Sequence, residues 1–328
     1  CNIMKFSIIV PVYNRSEEIN EFLNSLKNQT DKDFEVIIME GTCVDTCKSV
    51  VENYSNSLNI KYFEENTGRS TRRNHGMAYA SGDYFLLFDS DCIIPPHYIS
   101  VVRDSLSKNY LDCFGGPDNA DDTFSTLQLA INYSMTSIMT TGGIRGGRKK
   151  MKNFMPRAFN MGFSKEVFEK TNGYREMIGE DVDLSMRIKE AGFSVGLISN
   201  AYVFHKRRIS LKGFFKQVNT FGKARILLSS LHPGSFKIMH LLPSCFFLGN
   251  VFLLLLSIIF CNTLFLLPLL IYVLLIFCES LIKNKNINIA LLSIVTSYFQ
   301  LFGYGIGYLD EFFTRRASKK NAESLYRQ

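Results

Sequence analysis

An α/β fold is predicted: a Rossmann-like, mostly parallel sheet flanked by helices, followed by an interfacial amphipathic helix and C-terminal transmembrane helices. Three observations predict it. Short β-branched apolar runs alternate with amphipathic helical stretches through the first part of the chain, the pattern of parallel strands joined by crossover helices. The runs are apolar throughout instead of alternating inward and outward, as strands covered on both faces are. After His240 the chain changes to long Leu, Ile, Phe and Val stretches, the composition of membrane segments.

Residues 6–12 (FSIIVPV) open with a buried strand. Asn14 or Ser16 is placed to cap the next helix, with Glu17 and Glu18 in its positive first turn and Ile19, Phe22, Leu23 and Leu26 at helical spacing. A second strand is expected at 34–39 (FEVIIM), a helix at 45–54, a short strand at 60–63 and a helix at 70–80. A third apolar strand at 84–88 then runs directly into Asp89-Ser90-Asp91. Beyond it the alternation weakens to a helix at 98–108, a Gly/Asp-rich turn at 115–122 and a long polar stretch with Gly142 to Gly147, read as a covering loop. Order resumes at 154–163, a helix starts from Ser164, and Glu180-Asp181 opens another that Gly192 terminates. Residues 195–205 supply closing strand material.

Residues 210–228 put Leu211, Phe214, Phe215, Val218 and Phe221 on one helical face and Lys212, Lys216, Asn219 and Lys223 largely elsewhere, the pattern of a helix lying in the membrane interface. Apolar stretches follow at 241–260, 264–281 and 287–309. The first two read as a transmembrane hairpin around Cys261-Asn262-Thr263. The third holds Ser293, Thr296, Ser297, Gln300 and a Gly303, Gly305, Gly307 series, and is open between spanning, re-entering and lying in the interface.

The net charge of +7 has a local origin: no Asp or Glu occurs between Ala191 and Cys278, while residues 205–237 carry eight Lys and Arg. A membrane-proximal basic excess suits anionic headgroups, at about 1 kcal/mol per basic residue, and excludes a nucleic-acid-binding face as the first reading. Cytosolic placement of that segment puts Lys283 and Lys285 back in the cytosol after two spans. A third span would export Arg315, Arg316, Lys319 and Lys320 against the positive-inside tendency, so an even number of crossings is expected. The eight cysteines form no paired C-x-x-C set and have no His at zinc spacing; they read as reduced, with Cys43 and Cys47 as bystanders in a turn. Cys1 to Lys5 resembles no signal peptide, which leaves the globular part in the cytosol, and Met4 is a candidate natural start.

Open α/β sheets place ligands beyond the C-terminal ends of their strands. Asp89 and Asp91 sit there, one residue apart, and such paired carboxylates suit Mg²⁺ or Mn²⁺, which keeps other positions for water and diphosphate oxygens.

The run NTGRSTRRNHGMAYASGDYFLLFDSD (66–91), together with the opening SIIVPVYNR, resembles the nucleotide-diphospho-sugar-binding fold, of GT-A type, of the family 2 glycosyltransferases. The likeness extends through about Arg225. By position it implies that Pro11, Tyr13 and Glu40 line a nucleoside pocket, and that Arg73 and Asn74 lie near the diphosphate and orient the strand carrying Asp89. The family usually has Asp-Asp or Asp-Gly after its second strand, where this chain has Glu40-Gly41; a Glu still accepts a uracil imide proton, and the base is left open.

Asn160-Met161-Gly162-Phe163 with EVFEKTNGYRE and GEDVDLSMRIKEAG resembles the family's acceptor-side half. It implies Glu180-Asp181 as the acidic pair and Asp181 as catalytic base, a role that suits a displacement in which a carboxylate deprotonates the attacking hydroxyl. His205, ending a strand as VFHKRR, takes the place of a metal-binding or phosphate-facing His in several relatives. Processive synthases of the wider family carry Q-x-x-R-W after this point; here Gln217-Val218-Asn219-Thr220-Phe221 stands there and the chain has no Trp.

These residues imply an inverting, metal-dependent transferase moving a sugar from a nucleotide-sugar to a lipid-linked or membrane-proximal glycan in surface polysaccharide synthesis. It is expected in the inner membrane as a multi-pass protein with its catalytic domain cytoplasmic. The expected organisation is a catalytic domain at 1–209, interfacial helix and linker at 210–239, membrane segments at 240–310 and a basic tail at 311–328. A processive synthase and a non-catalytic sugar-nucleotide-binding scaffold are the alternatives.

Overall fold

The computed structural model describes residues 4–42, 44–119, 124–142, 154–206 and 208–325. They form two compact units, divided differently from a single cut near residue 209.

The first unit begins with β1 (Phe6–Val12), α1 (Ser16–Lys27), β2 (Phe34–Glu40), the short α2 (Lys48–Glu52), β3 (Ile60–Glu64), α3 (Arg69–Tyr79) and β4 (Tyr84–Phe88). It continues with β5 (Cys92–Ile93), α4 (Tyr98–Lys108), β6 (Cys113–Gly115) and β7 (Asp118–Asn119). After a departure into the second unit, the chain returns with β8 (Asn160–Ser164), α7 (Lys165–Thr171), α8 (Glu180–Glu190), β9 (Val195–Leu197) and β10 (Val203–His205).

Seven strands form one sheet in the order β3-β2-β1-β4-β8-β6-β9. The four on the β3 side are mutually parallel, β8 is antiparallel to both β4 and β6, and β9 is parallel to β6. Every residue of β1, β2 and β4 is buried, as their unbroken apolar character requires. Ile8, Val10, Val36, Ile38, Leu86 and Phe88 pack under α1 and α4, while Ile9, Ile37, Met39, Phe85 and Leu87 pack on the other face.

Three local expectations change. Neither Asn14 nor Ser16 caps α1: Asn14 takes a left-handed turn at φ 56° and its side chain accepts the Asp45 N–H instead. The material at 195–205 divides between sheets, because β10 leaves the main sheet to join β5 and β7 in a three-stranded one. The stretch read as polar loop contains α5 (Thr126–Thr136), which starts at a Ser125–Gln128 capping box, and α6 (Ile138–Thr141). Cys43 and most of the Gly142–Gly147 stretch lie outside the described residues.

The second unit gathers α5 and α6 with α9 (Leu211–Leu231), α10 (Leu242–Ile259), α11 (Leu267–Asn284) and α12 (Ile287–Leu325). Ile131 and Met135 of α5 share a buried cluster with Phe214 and Val218 of α9. The apolar face of α9 is thus largely spent on protein, with Lys212 and Lys216 left exposed. Three helical stretches, Ile238–Ile259, Thr263–Asn284 and Ile287–Arg316, are long and apolar enough to cross a membrane.

Candidate active site

The predicted residues collect at the C-terminal ends of β1, β2 and β4, where the chain leaves the sheet. Asp89 follows β4, and α3 lies alongside with Arg73 fully buried. One guanidinium nitrogen of Arg73 donates to Asp89 Oδ1 at 2.6 Å and the other to Glu180 Oε1 at 3.0 Å. Arg69, one helical turn earlier, donates to the same Glu180 oxygen at 2.6 Å. A single bonded chain therefore runs from the strand end to the first residue of α8, and Asp181 is next in sequence. Burial disfavours charge on Asp89, but Arg73 and then Arg69 outweigh it and hold its carboxyl below the usual range.

Asp91 faces differently. Its Oδ2 accepts from Arg15 at 2.6 Å and its Oδ1 lies 3.2 Å from His205 Nε2. Antiparallel pairing of β10 with β5, in the register that sets His205 opposite Cys92, brings this His beside Asp91, and the Phe159 ring stacks on the imidazole at 4.7 Å. Burial opposes ionisation of Asp91, yet His205 and Arg15 pull its pKa well below the carboxylate range.

Asp91 and His205 offer an oxygen and a nitrogen converging on one point, and Asp91 Oδ1 is buried without a well-directed hydrogen bond. That donor set fits a divalent cation. Cys92 lies within the same cluster, but burial keeps its thiol protonated and it points its Sγ to the Phe159 carbonyl at 3.5 Å. Asp89 turns to Arg73 and is not brought into this cluster among the described residues.

On the acceptor side, Gly179 has φ 79° and lets the chain turn sharply into α8. Asp181 Oδ1 accepts the Val182 N–H at 2.8 Å and Oδ2 lies 3.6 Å from Arg157. Its neighbours are committed elsewhere: Glu180 to Arg69 and Arg73, and the fully buried Asp183 to Arg175 at 3.1 Å and Arg187 at 2.9 Å. Of the three acids in the first turn, Asp181 alone keeps part of its carboxylate accessible without a close bidentate partner.

Glu40, Asn74 and Asn160 do structural work at the rim. Glu40 accepts from Tyr62 at 2.5 Å, Thr46 at 2.8 Å and the Cys47 N–H at 2.9 Å, fixing the loop after β2. Asn74 clasps the Tyr174 backbone by two 2.8 Å bonds, one to its carbonyl and one from its N–H. Asn160, paired opposite Phe88, is wholly buried and accepts from Tyr98 at 2.6 Å while donating to the Ala201 carbonyl at 2.8 Å. Pro11 is buried near the end of β1 and Tyr13 is exposed beyond it. The Arg72 guanidinium lies 6.0 Å from the Tyr13 ring centroid. A Cβ at Gly41 would stand 2.3 Å from Arg72 Nη1 and 2.9 Å from the Tyr13 ring, so a side chain there would displace the Arg72 tip from its place beside Tyr13.

Sequence reasoning missed Arg15, Arg69, Arg157 and Phe159. Arg15 closes the SIIVPVYNR motif and Arg69 precedes Arg73 by one turn, signals that were present; the partners of Arg157 and Phe159 lie far along the chain, Asp181 in the first turn of α8 and His205 at the end of β10.

The family model described as Glycosyl transferase family 2 matches residues 7–171, half of the chain. Over 115 residues the chain is 40% identical to the poly(ribitol-phosphate) beta-N-acetylglucosaminyltransferase TarS of Staphylococcus aureus, covering 34% of this chain and 20% of that protein. Over 115 residues it is 31% identical to the GalNAc(5)-diNAcBac-PP-undecaprenol beta-1,3-glucosyltransferase of Campylobacter jejuni, covering 34% and 37%. The chain thus matches well under half the length of either relative. Among solved structures, the mannosyltransferase PcManGT of Pyrobaculum calidifontis, in complex with GDP-Man and Mn²⁺, superposes with a TM-score of 0.58 at 16% identity, over 93% of this chain and 87% of that one, a likeness of fold.

Proposed function

The chain belongs to the family 2 glycosyltransferases, and from that membership and the site's geometry we propose that it transfers a sugar, with inversion, from a nucleotide-diphospho-sugar to a lipid-linked or membrane-proximal glycan. The observation that carries this reading is the bonded chain Asp89–Arg73–Glu180, which ties the strand end where a donor is held to the helix start where Asp181 waits.

In this mechanism Tyr13, Pro11 and the loop shaped by Glu40 hold the nucleoside. Asp91 and His205 would hold a divalent cation, Mg²⁺ or Mn²⁺. When bound, the cation neutralises charge on the departing diphosphate. Arg73 keeps Asp89 ionised at the end of β4. Asp181 takes the proton from the acceptor hydroxyl as that oxygen attacks the anomeric carbon opposite the diphosphate, and inversion follows from a single displacement. Glu180, held by two arginines, fixes the start of α8 and so the aim of its neighbour.

The acceptor class is supported by the C. jejuni relative, whose name gives an undecaprenol-linked glycan, and by the apolar helices of the second unit. Attachment to the same membrane would confine enzyme and acceptor to one surface and raise their effective concentration. The proposed location is the inner membrane, with the first unit cytoplasmic.

The test is initial transfer from UDP-, GDP- and dTDP-sugars to membrane lipid extract, with Mn²⁺, with Mg²⁺ and with EDTA. One donor should support turnover that EDTA abolishes and added metal restores. Full activity in EDTA would remove the cation from the mechanism, and no turnover with any donor would leave the scaffold reading standing.

A further inference from the structure

Of the three apolar helical stretches in the second unit, the third differs in kind. α12 has 39 residues, about 58 Å at 1.5 Å per residue, close to twice the hydrocarbon thickness. Half of its apolar window is buried within the protein, 50% against 11% for each of the other two.

Its neighbours fix where it lies. Near its start, Ser293 bonds Ser280 at 2.7 Å, toward the charged end of α11 that carries Glu279 and Lys283. Thr296 Oγ1 donates to the Ala130 carbonyl of α5 at 2.9 Å. The Tyr298 and Phe302 rings meet Phe246 and Phe247 in the first part of α10. Gly305 abuts Pro243 and Ser244, where α10 begins. Gly303 and Gly307 lie against the α9 backbone, Asn219 of α9 donates to the Gly303 carbonyl at 3.2 Å, and Asp310 pairs with Lys223 at 2.5 Å.

Tyr298 also meets Tyr272, in the first third of α11, at 5.9 Å, and Phe246 at the start of α10 meets the same Tyr272 ring, so from residue 293 to residue 310 these contacts hold α12 against the first turns of α10, the stretch of α11 from Tyr272 to its end, and α9. A spanning helix would carry its two ends to opposite faces. The far half of the hairpin is bare: Phe252, Leu254, Leu255, Ile258, Ile259, Phe260, Leu264 and Leu267 are all exposed, and no Lys, Arg, Asp or Glu occurs between Lys237 and Glu279.

The faces of α12 agree. Ser293, Thr296, Ser297 and Gln300 are buried, while Ile287, Leu291 and Val295 form an exposed apolar stripe at four-residue spacing. α9, on which α12 is seated, exposes Lys212 and Lys216, which belong at the headgroups and not in hydrocarbon.

We propose that α12 is an interfacial strap lying across the open end of the α10–α11 hairpin, its Ile287–Leu291–Val295 stripe against lipid, and that the hairpin alone enters the bilayer. Residues from 311 onward then stay on the side of α9. This rests on the membrane reading of the second unit, and the experiment separates the two.

The chain contains no Trp, so single reporters are unambiguous. Leu255→Trp, Leu291→Trp and Phe312→Trp are made in the full chain and reconstituted in phosphatidylcholine–phosphatidylglycerol vesicles holding lipids brominated at shallow or deep acyl positions. Leu255→Trp should be quenched more by deep bromines and both α12 reporters more by shallow ones, each by about twofold or more given a half-bilayer of about 15 Å. Deep quenching at Leu291 would overturn the strap and leave the membrane reading intact. Quenching at Leu255 with none at Leu291 would mean that a second copy covers the stripe, which also overturns it. No quenching anywhere would refute the membrane reading and the proposal together. Independently of any substitution, trypsin added to sealed vesicles should remove a C-terminal tag in step with digestion of the first unit. A protected tag beside a digested first unit would place the tail across the bilayer and sink the proposal.

Discussion

Asp181→Asn separates chemistry from binding and folding. Asn keeps the oxygen that accepts the Val182 N–H at 2.8 Å, so the start of α8 is retained. What is lost on folding is a 3.6 Å contact with a partly exposed Arg157, worth under about 1 kcal/mol. What is lost in the reaction is the proton acceptor, and removal of a general base lowers turnover by about 10² to 10⁴, or roughly 3 to 5 kcal/mol of barrier. Donor affinity should scarcely move. Asp183→Asn gives the opposite signature: it breaks a wholly buried carboxylate's pairs with Arg175 and Arg187, which costs about 3 to 5 kcal/mol of stability, and any activity loss should track unfolding. The assay pairs donor Kd by calorimetry with initial transfer rate and thermal midpoint. If Asp181→Asn transfers within about threefold of wild type, the base assignment and the reaction scheme built on it are wrong.

Three further outcomes follow from single contacts. Glu35, buried opposite Ser7 and Ser81 and paired with Lys61 at 3.0 Å, has its pKa taken down to about 2, hydrogen bonds from Ser7 and Ser81 overcoming the effect of burial. Its stabilisation is therefore full above the ordinary value of about 4.3 and is lost as pH falls toward 2; Glu35→Gln should lower the unfolding free energy at neutral pH by on the order of 3 kcal/mol, seen as a lower midpoint, and flatten the acid limb of a midpoint–pH curve. Gly222→Val should disrupt the α9–α12 pair, because a Cβ would meet the Tyr304 carbonyl oxygen at 2.1 Å, whereas Gly249→Ala, with nothing within 4 Å, should be neutral; limited proteolysis in detergent would show no difference between them if the close approach were unimportant. A fragment ending at Pro233 should aggregate or require detergent despite lacking α10–α12, since α5 and α9 lose the cover that Thr296 and Phe299 give them; a monodisperse detergent-free fragment in gel filtration would contradict this.

Three strands of the parallel part of the sheet were legible because each is buried on both faces and says so residue by residue: FSIIVPV, FEVIIM and YFLLF permit little else. Asp89 and Asp91 were legible as a pair because they follow such a strand directly. Their division of labour was not, since it depends on two partners far away in sequence, Arg73 for one and His205 for the other. α5 was missed because LQLAINYSMT mixes Gln, Asn, Ser and Thr through its apolar positions; in the helix Gln128 closes the cap with Ser125, and Ser134 and Thr136 donate back to the Ile131 and Asn132 carbonyls, while Tyr133 reaches Glu279. Glu40 shows the same limit at a single residue: its place after β2 pointed to the nucleoside, while its oxygens are taken by Tyr62, Thr46 and Cys47.

Helix α3 explains how a site assembled from two distant stretches keeps its shape. On one side Arg73 grips Asp89; on the other Arg69 and Arg73 grip Glu180, Asn74 clasps Tyr174, and Glu176 accepts from the Thr71 N–H and hydroxyl at 3.1 and 3.2 Å. The loop leading into Asp181 is therefore fastened to one rigid element by four residues within two turns, Arg69, Thr71, Arg73 and Asn74. Two carboxylates around one buried guanidinium also constrain each other, because removing either leaves Arg73 partly unpaired in a place water does not reach. Glu180→Gln should accordingly disturb donor binding through Asp89 as well as transfer through Asp181, whereas Asp181→Asn should disturb transfer alone. A difference of that form, read from donor Kd in the two variants, would place the coupling in Arg73; equal donor affinities would mean that the two halves of the site are held independently.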